Sequence, residues 1–124
     1  DDLPIGSIRM ICARAGARLF LGKSTHSLEQ AAQTCAEDVD YISFGPIFST
    51  PTKPHYQAVH TELIAQVHRL ASIPVVVIGG INETTLEPVL KAGARRVAAV
   101  RALFDAEDSH EAAQKMRRTI DSFI

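Results

Sequence analysis

The stretch Gly45-Pro-Ile-Phe-Ser-Thr-Pro-Thr-Lys53 puts two threonine hydroxyls and one ammonium on a loop stiffened by Pro46, Pro51 and Pro54. Proline holds φ near about −65° and removes a backbone donor, so the loop is pre-shaped without being helix or strand. Hydroxyls and a lysine on a rigid loop suit an anionic ligand, most simply a phosphate. An ordinary proline-rich surface loop has the same composition, so the reading depends on what stands near it.

Three other short clusters carry suitable groups. Lys23-Ser24-Thr25-His26 follows an apolar stretch, Gly79-Gly80-Ile81-Asn82 separates a β-branched run from a helical pattern, and Val100-Arg101 follows another apolar run. Glycine lets a backbone approach an anion closely, and the first N–H groups of a helix point at such a ligand. At the last two strand ends of a (β/α)8 barrel, Gly80 and Val100-Arg101 would form the phosphate site that recurs in that fold. The competing reading is turn glycines beside a surface arginine. Five histidines, at positions 26, 55, 60, 68 and 110, show no metal-ligand spacing. His68 and His110 read as solvated helix positions, and His26, nearest the site, reads as structural or exposed. No Ser-His-Asp or Cys-His nucleophile arrangement and no isolated carboxylate pair is visible.

The elements that would position these clusters alternate along the chain. Pro4 to Ala15 has helical periodicity through Ile5, Ile8, Ile11 and Cys12, and Leu19 to Gly22 reads as a short strand. Ser27-Leu-Glu-Gln30 has capping-box spacing and opens a second helix. Tyr41 to Gly45 is a strand, Thr61 to Ala71 an amphipathic helix, and Pro74 to Ile78 a strand whose β-branched run predicts burial on both faces. Asn82 caps a helix reaching Ala92, with Gly93 as its left-handed stop. Val97 to Val100 is a fourth strand, and Ser109 begins a last helix. Four strands each followed by a helix predict an α/β fold with parallel pairing and right-handed crossovers. In such folds the carboxyl ends of the strands carry the ligand chemistry, and all four clusters fall there.

With 124 residues, 46% apolar and 22% charged, the chain reads as one soluble domain over 1–124. A net charge of −1 leaves no electrostatic footprint for nucleic acid or an anionic membrane. Ile73 to Ile78, the longest apolar run, is too short to span a bilayer. No stretch reads as a secretory signal, and Cys12 and Cys35 read as reduced, buried thiols, so the expectation is a cytoplasmic protein.

Taken in order, the motifs Asp1-Asp2-Leu3-Pro4, Gly22-Lys-Ser-Thr-His-Ser27, Tyr41 through Lys53, Ile78-Gly-Gly-Ile81, and Val97 through Phe104 with Ala106-Glu-Asp108 resemble thiamine-phosphate synthase. The resemblance runs over nearly the whole chain, and the Gly-Pro-Ile-Phe-x-Thr-Pro-Thr-Lys string is its most specific part. It implies a (β/α)8 barrel that joins hydroxymethylpyrimidine diphosphate to a thiazole phosphate carboxylate, releasing pyrophosphate, with Mg²⁺ as cofactor. By the same resemblance Asp2 matches a magnesium ligand, and Ser24 and Lys53 match groups on the pyrimidine diphosphate. Thr50, Pro51 and Thr52 match the segment holding the thiazole phosphate, and Gly80, Val100 and Arg101 match its cradle. Many relatives carry serine where Arg101 stands.

The family's chain begins with about four further strands, so this sequence corresponds to the C-terminal half of the barrel, strands five to eight. A half-barrel exposes parallel strand edges and an uncovered apolar face, so self-association or pairing with the missing half is expected, and synthase activity in isolation is not. Two other readings compete: a thiazole tautomerase-like relative, disfavoured by Pro46 where that group carries histidine, and a non-catalytic phosphate-binding half-barrel. A doubly wound phosphate-binding domain would gather its anion motifs at one switch point instead.

Overall fold

A computed structural model describes residues 3–49, 51, 55 and 57–123. Helices and strands alternate as α1 (Ile5–Arg14), β1 (Gly22–Thr25), α2 (Leu28–Cys35), β2 (Tyr41–Phe44), α3 (Leu63–Leu70), β3 (Val75–Ile78), α4 (Glu83–Lys91), β4 (Val97–Ala98), α5 (Arg101–Phe104) and α6 (Ser109–Phe123). The strands stand in chain order, β1-β2-β3-β4, and every neighbouring pair is parallel. A doubly wound sheet reverses its strand order at the ligand site, whereas strictly sequential order is that of a barrel segment. The fold is therefore α/β with four parallel strands in one open sheet, as half of a (β/α)8 barrel would be.

Side chains alternate across the sheet, and only one face is packed. Ile42, Phe44, Val75 and Val77 are fully buried and join Ile64, Val67, Leu86, Val89 and Leu90 of α3 and α4 in the core. On the opposite face Ser24 and Tyr41 are exposed, and Ser43, Val76 and Ile78 are half-buried. The expected two-sided burial of the third strand is therefore corrected. Val75 and Val77 meet helices, while Val76 and Ile78 line the inner wall of an open half-barrel. The first strand also lies three residues beyond its expected place. Leu19 and Phe20 are exposed, and Gly22–Thr25 pairs instead with Tyr41–Phe44.

Gly93, at φ 108°, ends the fourth helix segment in the left-handed region that a side chain disfavours, as its sequence predicts. Cys12 and Cys35 are free but half-buried, not buried. His68 departs from its solvated reading. It is half-buried, its Nε2 has no hydrogen-bond partner among the described residues, and burial, followed by the charges of Arg95 and Arg96, lowers its pKa. Among the described residues no helix is long and apolar enough to cross a membrane.

No α1 residue is fully buried, and Ile11 of the predicted stripe is 58% exposed, so polar contacts fix much of this helix. Arg9 donates from Nη1 to the Leu19 carbonyl at 3.0 Å, from Nε to the Asp38 carbonyl at 3.0 Å, and from Nη2 to Asp40 Oδ2 at 2.8 Å. The same Asp40 oxygen accepts the Leu21 amide at 2.7 Å. That amide and, after it, the guanidinium hold the Asp40 carboxyl below its ordinary value. A depressed folded-state pKa stabilises the fold above the unfolded value, near about 3.9, and the contribution fades as pH falls below it. Asp40→Asn should therefore lower stability at neutral pH and flatten the loss of stability under acid. Denaturant midpoints measured between neutral and strongly acid pH check this, and an unchanged acid slope would remove Asp40 from the linkage.

Candidate active site

The site is built where the carboxyl ends of the strands meet. The turn after β2 and the turn after β3 zip together beyond the regular sheet: the Ile47 amide donates to the Ile78 carbonyl at 2.9 Å and the Phe48 amide to the Gly79 carbonyl at 3.2 Å. The approach is close enough that a Cβ at Gly45 would lie 2.1 Å from the Ile78 oxygen, and one at Gly80 would lie 2.7 Å from Phe48 Cβ. The Val59 amide returns to the Pro46 carbonyl at 2.6 Å, so the loop bearing the threonines and lysine is tied at both its ends.

Between these turns and the end of β4 lies a cavity of about 450 Å³. Ser24 of β1, Pro51 of the proline loop, Gly80, Val100 and Arg101 all line it, so five of the residues expected at the site share one space. Asp2, Thr50, Thr52 and Lys53, the other four, lie outside the described residues. Arg101 is the one permanent cation among the described lining residues, and no carboxylate is among them. A walled space with a guanidinium, hydroxyls and free amides, and no acid, favours an anion.

The Arg101 guanidinium donates from Nε to Asp105 Oδ2 at 3.0 Å, one turn along, and both side chains are more than half exposed. The amides of Gly80, Arg101 and Ala102 have no partner among the described residues. The expectation that α4 presents its first N–H groups to a ligand needs correction. Asn82 Oδ1 accepts the amides of Thr84 and Thr85 at 2.9 and 3.1 Å, and Thr85 Oγ1 accepts the Asn82 amide at 2.8 Å. The helix's own side chains take two of its first three amides, so among the described residues at this helix start only the Glu83 amide and the glycine turn are left for an anion.

One lining residue escapes the sequence reading, and the contact of a second, His26, is not foreseen in it. Ser43 Oγ donates to Ser24 Oγ at 3.2 Å, and Ser24 and Ser43 are partners in the parallel register. Equal parity in paired strands is a signal that finds such a contact once the strand is placed correctly. His26, read as structural or exposed, is half-buried on the cavity wall, with Nδ1 2.5 Å from the Gly45 carbonyl oxygen. That contact spans 19 residues, and no local pattern announces it.

The description "Thiamine monophosphate synthase" belongs to a family whose sequence model matches residues 1–103. The chain belongs to the thiamine monophosphate synthase family. Thiamine-phosphate synthase of Mycolicibacterium gilvum is 45% identical over 125 residues, covering 100% of this chain and 51% of its own. That of Thermobifida fusca is 43% identical over 121 residues, covering 96% and 54%. Among solved structures, thiamine phosphate pyrophosphorylase from Pyrococcus furiosus superposes with a TM-score of 0.88 at 30% identity, covering 100% of this chain and 57% of that one. The chain thus spans about half the length of these relatives, and about a third of others such as the Synechococcus and Gloeobacter enzymes.

The magnesium that the resemblance implies finds no fit among the described residues. No group of three or more His, Cys, Asp or Glu side chains is placed to hold a metal there, and the described cavity wall has no carboxylate. Asp2 falls outside them.

Proposed function

We propose that the complete protein joins hydroxymethylpyrimidine diphosphate to thiazole phosphate carboxylate in the cytoplasm, releasing pyrophosphate and carbon dioxide and leaving thiamine phosphate, in keeping with its family. The observation carrying this reading is the cavity on which the ends of all four strand units converge, with Ser24, Pro51, Gly80, Val100 and Arg101 on its wall and no carboxylate among its described lining residues. Ser24, steadied by Ser43, would hold the diphosphate together with Lys53. Thr50, Pro51 and Thr52 would hold the thiazole phosphate against the amides of Gly80 and Arg101. The Arg101 guanidinium would add a charge-assisted contact where many relatives offer a hydroxyl. Asp2 would hold Mg²⁺.

The reading includes a partner. Leu3, Met10, Ile11, Leu19 and Phe20 are exposed on and around α1 and the approach to β1, Phe20 by 85%, and Phe104 is 80% exposed beyond β4. Two apolar flanks on one open sheet support pairing with further barrel strands, from a second copy or from an amino-terminal half.

Pyrophosphate release tests the function. A chain extended at its amino terminus to the relatives' length should release pyrophosphate when both substrates and Mg²⁺ are supplied, and not when either substrate is omitted. The 124-residue chain alone should release none. Silence from the extended chain would overturn the synthase reading and leave a half-barrel that only binds phosphate.

A further inference from the structure

We propose that His26 is a positioning residue that holds the root of the anion-binding loop, its Nδ1–H donating to the Gly45 carbonyl. This sets the segment from Pro46 to Ser49 relative to Ser24. The consequence for turnover rests on the synthase reading above; the consequence for the loop does not.

The need for such a donor follows from the topology. Gly45 is buried just past the end of β2. Its amide still reaches the last residue of β1, donating to the Thr25 carbonyl at 3.2 Å, but β1 stops there and the chain turns into α2. No strand amide is left beside the Gly45 carbonyl on that side, and a buried carbonyl needs a partner. The His26 ring supplies it at 2.5 Å. A carbonyl oxygen can only accept, so the facing ring nitrogen carries the proton.

The backbone that carries the ring is itself anchored. Ser27 and Gln30 have capping-box spacing, yet only half of the box forms. The Gln30 amide donates to Ser27 Oγ at 3.1 Å, while Gln30 Oε1 accepts the His26 amide at 2.8 Å. The start of α2 thereby braces the residue whose ring grips the loop. On the other side the loop root is held by the bonds from Ile47 and Phe48 to β3. His26 is the matching side-chain tie toward β1, next to Ser24.

The test compares His26→Asn, His26→Gln and His26→Ala in the full-length protein. Asparagine places an N–H where Nδ1 stands, and glutamine places one where Nε2 stands. Long-range ¹H–¹⁵N spectra of the wild type should show Nδ1 of His26 protonated. Amide exchange at Ile47 and Phe48 should accelerate by about tenfold or more in the alanine and glutamine variants and stay within about threefold of wild type in the asparagine variant. In pyrophosphate release, KM for the phosphorylated substrates should rise about tenfold for alanine and glutamine, with asparagine close to wild type. An unprotonated Nδ1, wild-type exchange in His26→Ala, or rescue by glutamine and not asparagine would each overturn the proposal. Should the alanine variant fail to fold, the asparagine–glutamine pair still decides. Should the wild type release no pyrophosphate, the tautomer and exchange results stand apart from the failed synthase reading.

Discussion

Gly79→Ala should destabilise the protein by about 4 kcal/mol or more, the range of single changes reached only through a named steric or electrostatic fault. Two faults coincide here. Gly79 has φ 103°, a conformation that costs an L side chain about 1–2 kcal/mol by itself. A Cβ built there would also lie 2.3 Å from Pro46 Cα, 2.4 Å from Pro46 Cβ and 2.9 Å from the Ile47 nitrogen. None of these atoms is the free end of a flexible side chain. Pro46 is fixed by the Val59 amide on its carbonyl, and Ile47 by its bond to Ile78, so relief requires parting the two turns that frame the cavity. Gly6→Ala is the control. A Cβ at Gly6 meets nothing within 4 Å, and inside α1 the change should be neutral or stabilising by up to about 1 kcal/mol. Urea unfolding of both variants checks the pair. A Gly79→Ala loss under about 1 kcal/mol would mean that the turns yield, and that the interlock does not set the site's shape.

The same interlock shows which parts of the architecture the chain declares locally. The β3 run is continuously β-branched, Asn82 caps as its spacing says, Ser27 forms half of its expected box, and Gly93 stops its helix, because each depends on neighbours within a few residues. β1 departs from its sequence expectation for the opposite reason. Leu19 to Leu21 are the apolar residues, but the strand is Gly22–Thr25, whose Ser24 faces the cavity and whose Lys23 pairs with Glu37 at 2.6 Å. A strand that serves the site with polar groups does not look hydrophobic. The four-residue helix α5 is too short to show a period. At the site, Ser24, Gly80, Val100 and Arg101 were legible as strand-end residues, whereas the self-capping of Asn82 required knowing which oxygen each amide meets. His68 looked solvated because helical periodicity carries no record of the turn bearing Arg95 and Arg96 that lies near it.

Lys53→Ala in the full-length protein should lower kcat by roughly 10²–10³, with a smaller rise in KM for the pyrimidine diphosphate. The expectation follows from where charge develops. As the bond to the leaving pyrophosphate breaks, negative charge accumulates on the departing oxygen, and an ammonium facing it gains attraction that the ground state lacks. Such an interaction reports mainly in kcat, because on the proposed reading Ser24 would also hold the intact diphosphate. The loop carrying Lys53 is tied to β3 through Ile47 and Phe48 and to itself through Val59 and Pro46, and Pro51, two residues before the lysine, lines the cavity. The described root of that loop is the turn that Gly79 keeps in place, and a charge carried on a fixed root would lose little on reorganisation. Lys53→Arg should therefore recover part of the rate, since it restores the charge but not the compact point donor. Steady-state pyrophosphate release with each substrate varied in turn separates these outcomes. Near-normal turnover in Lys53→Ala would take the lysine out of the mechanism, and an effect confined to KM would make it a binding group alone.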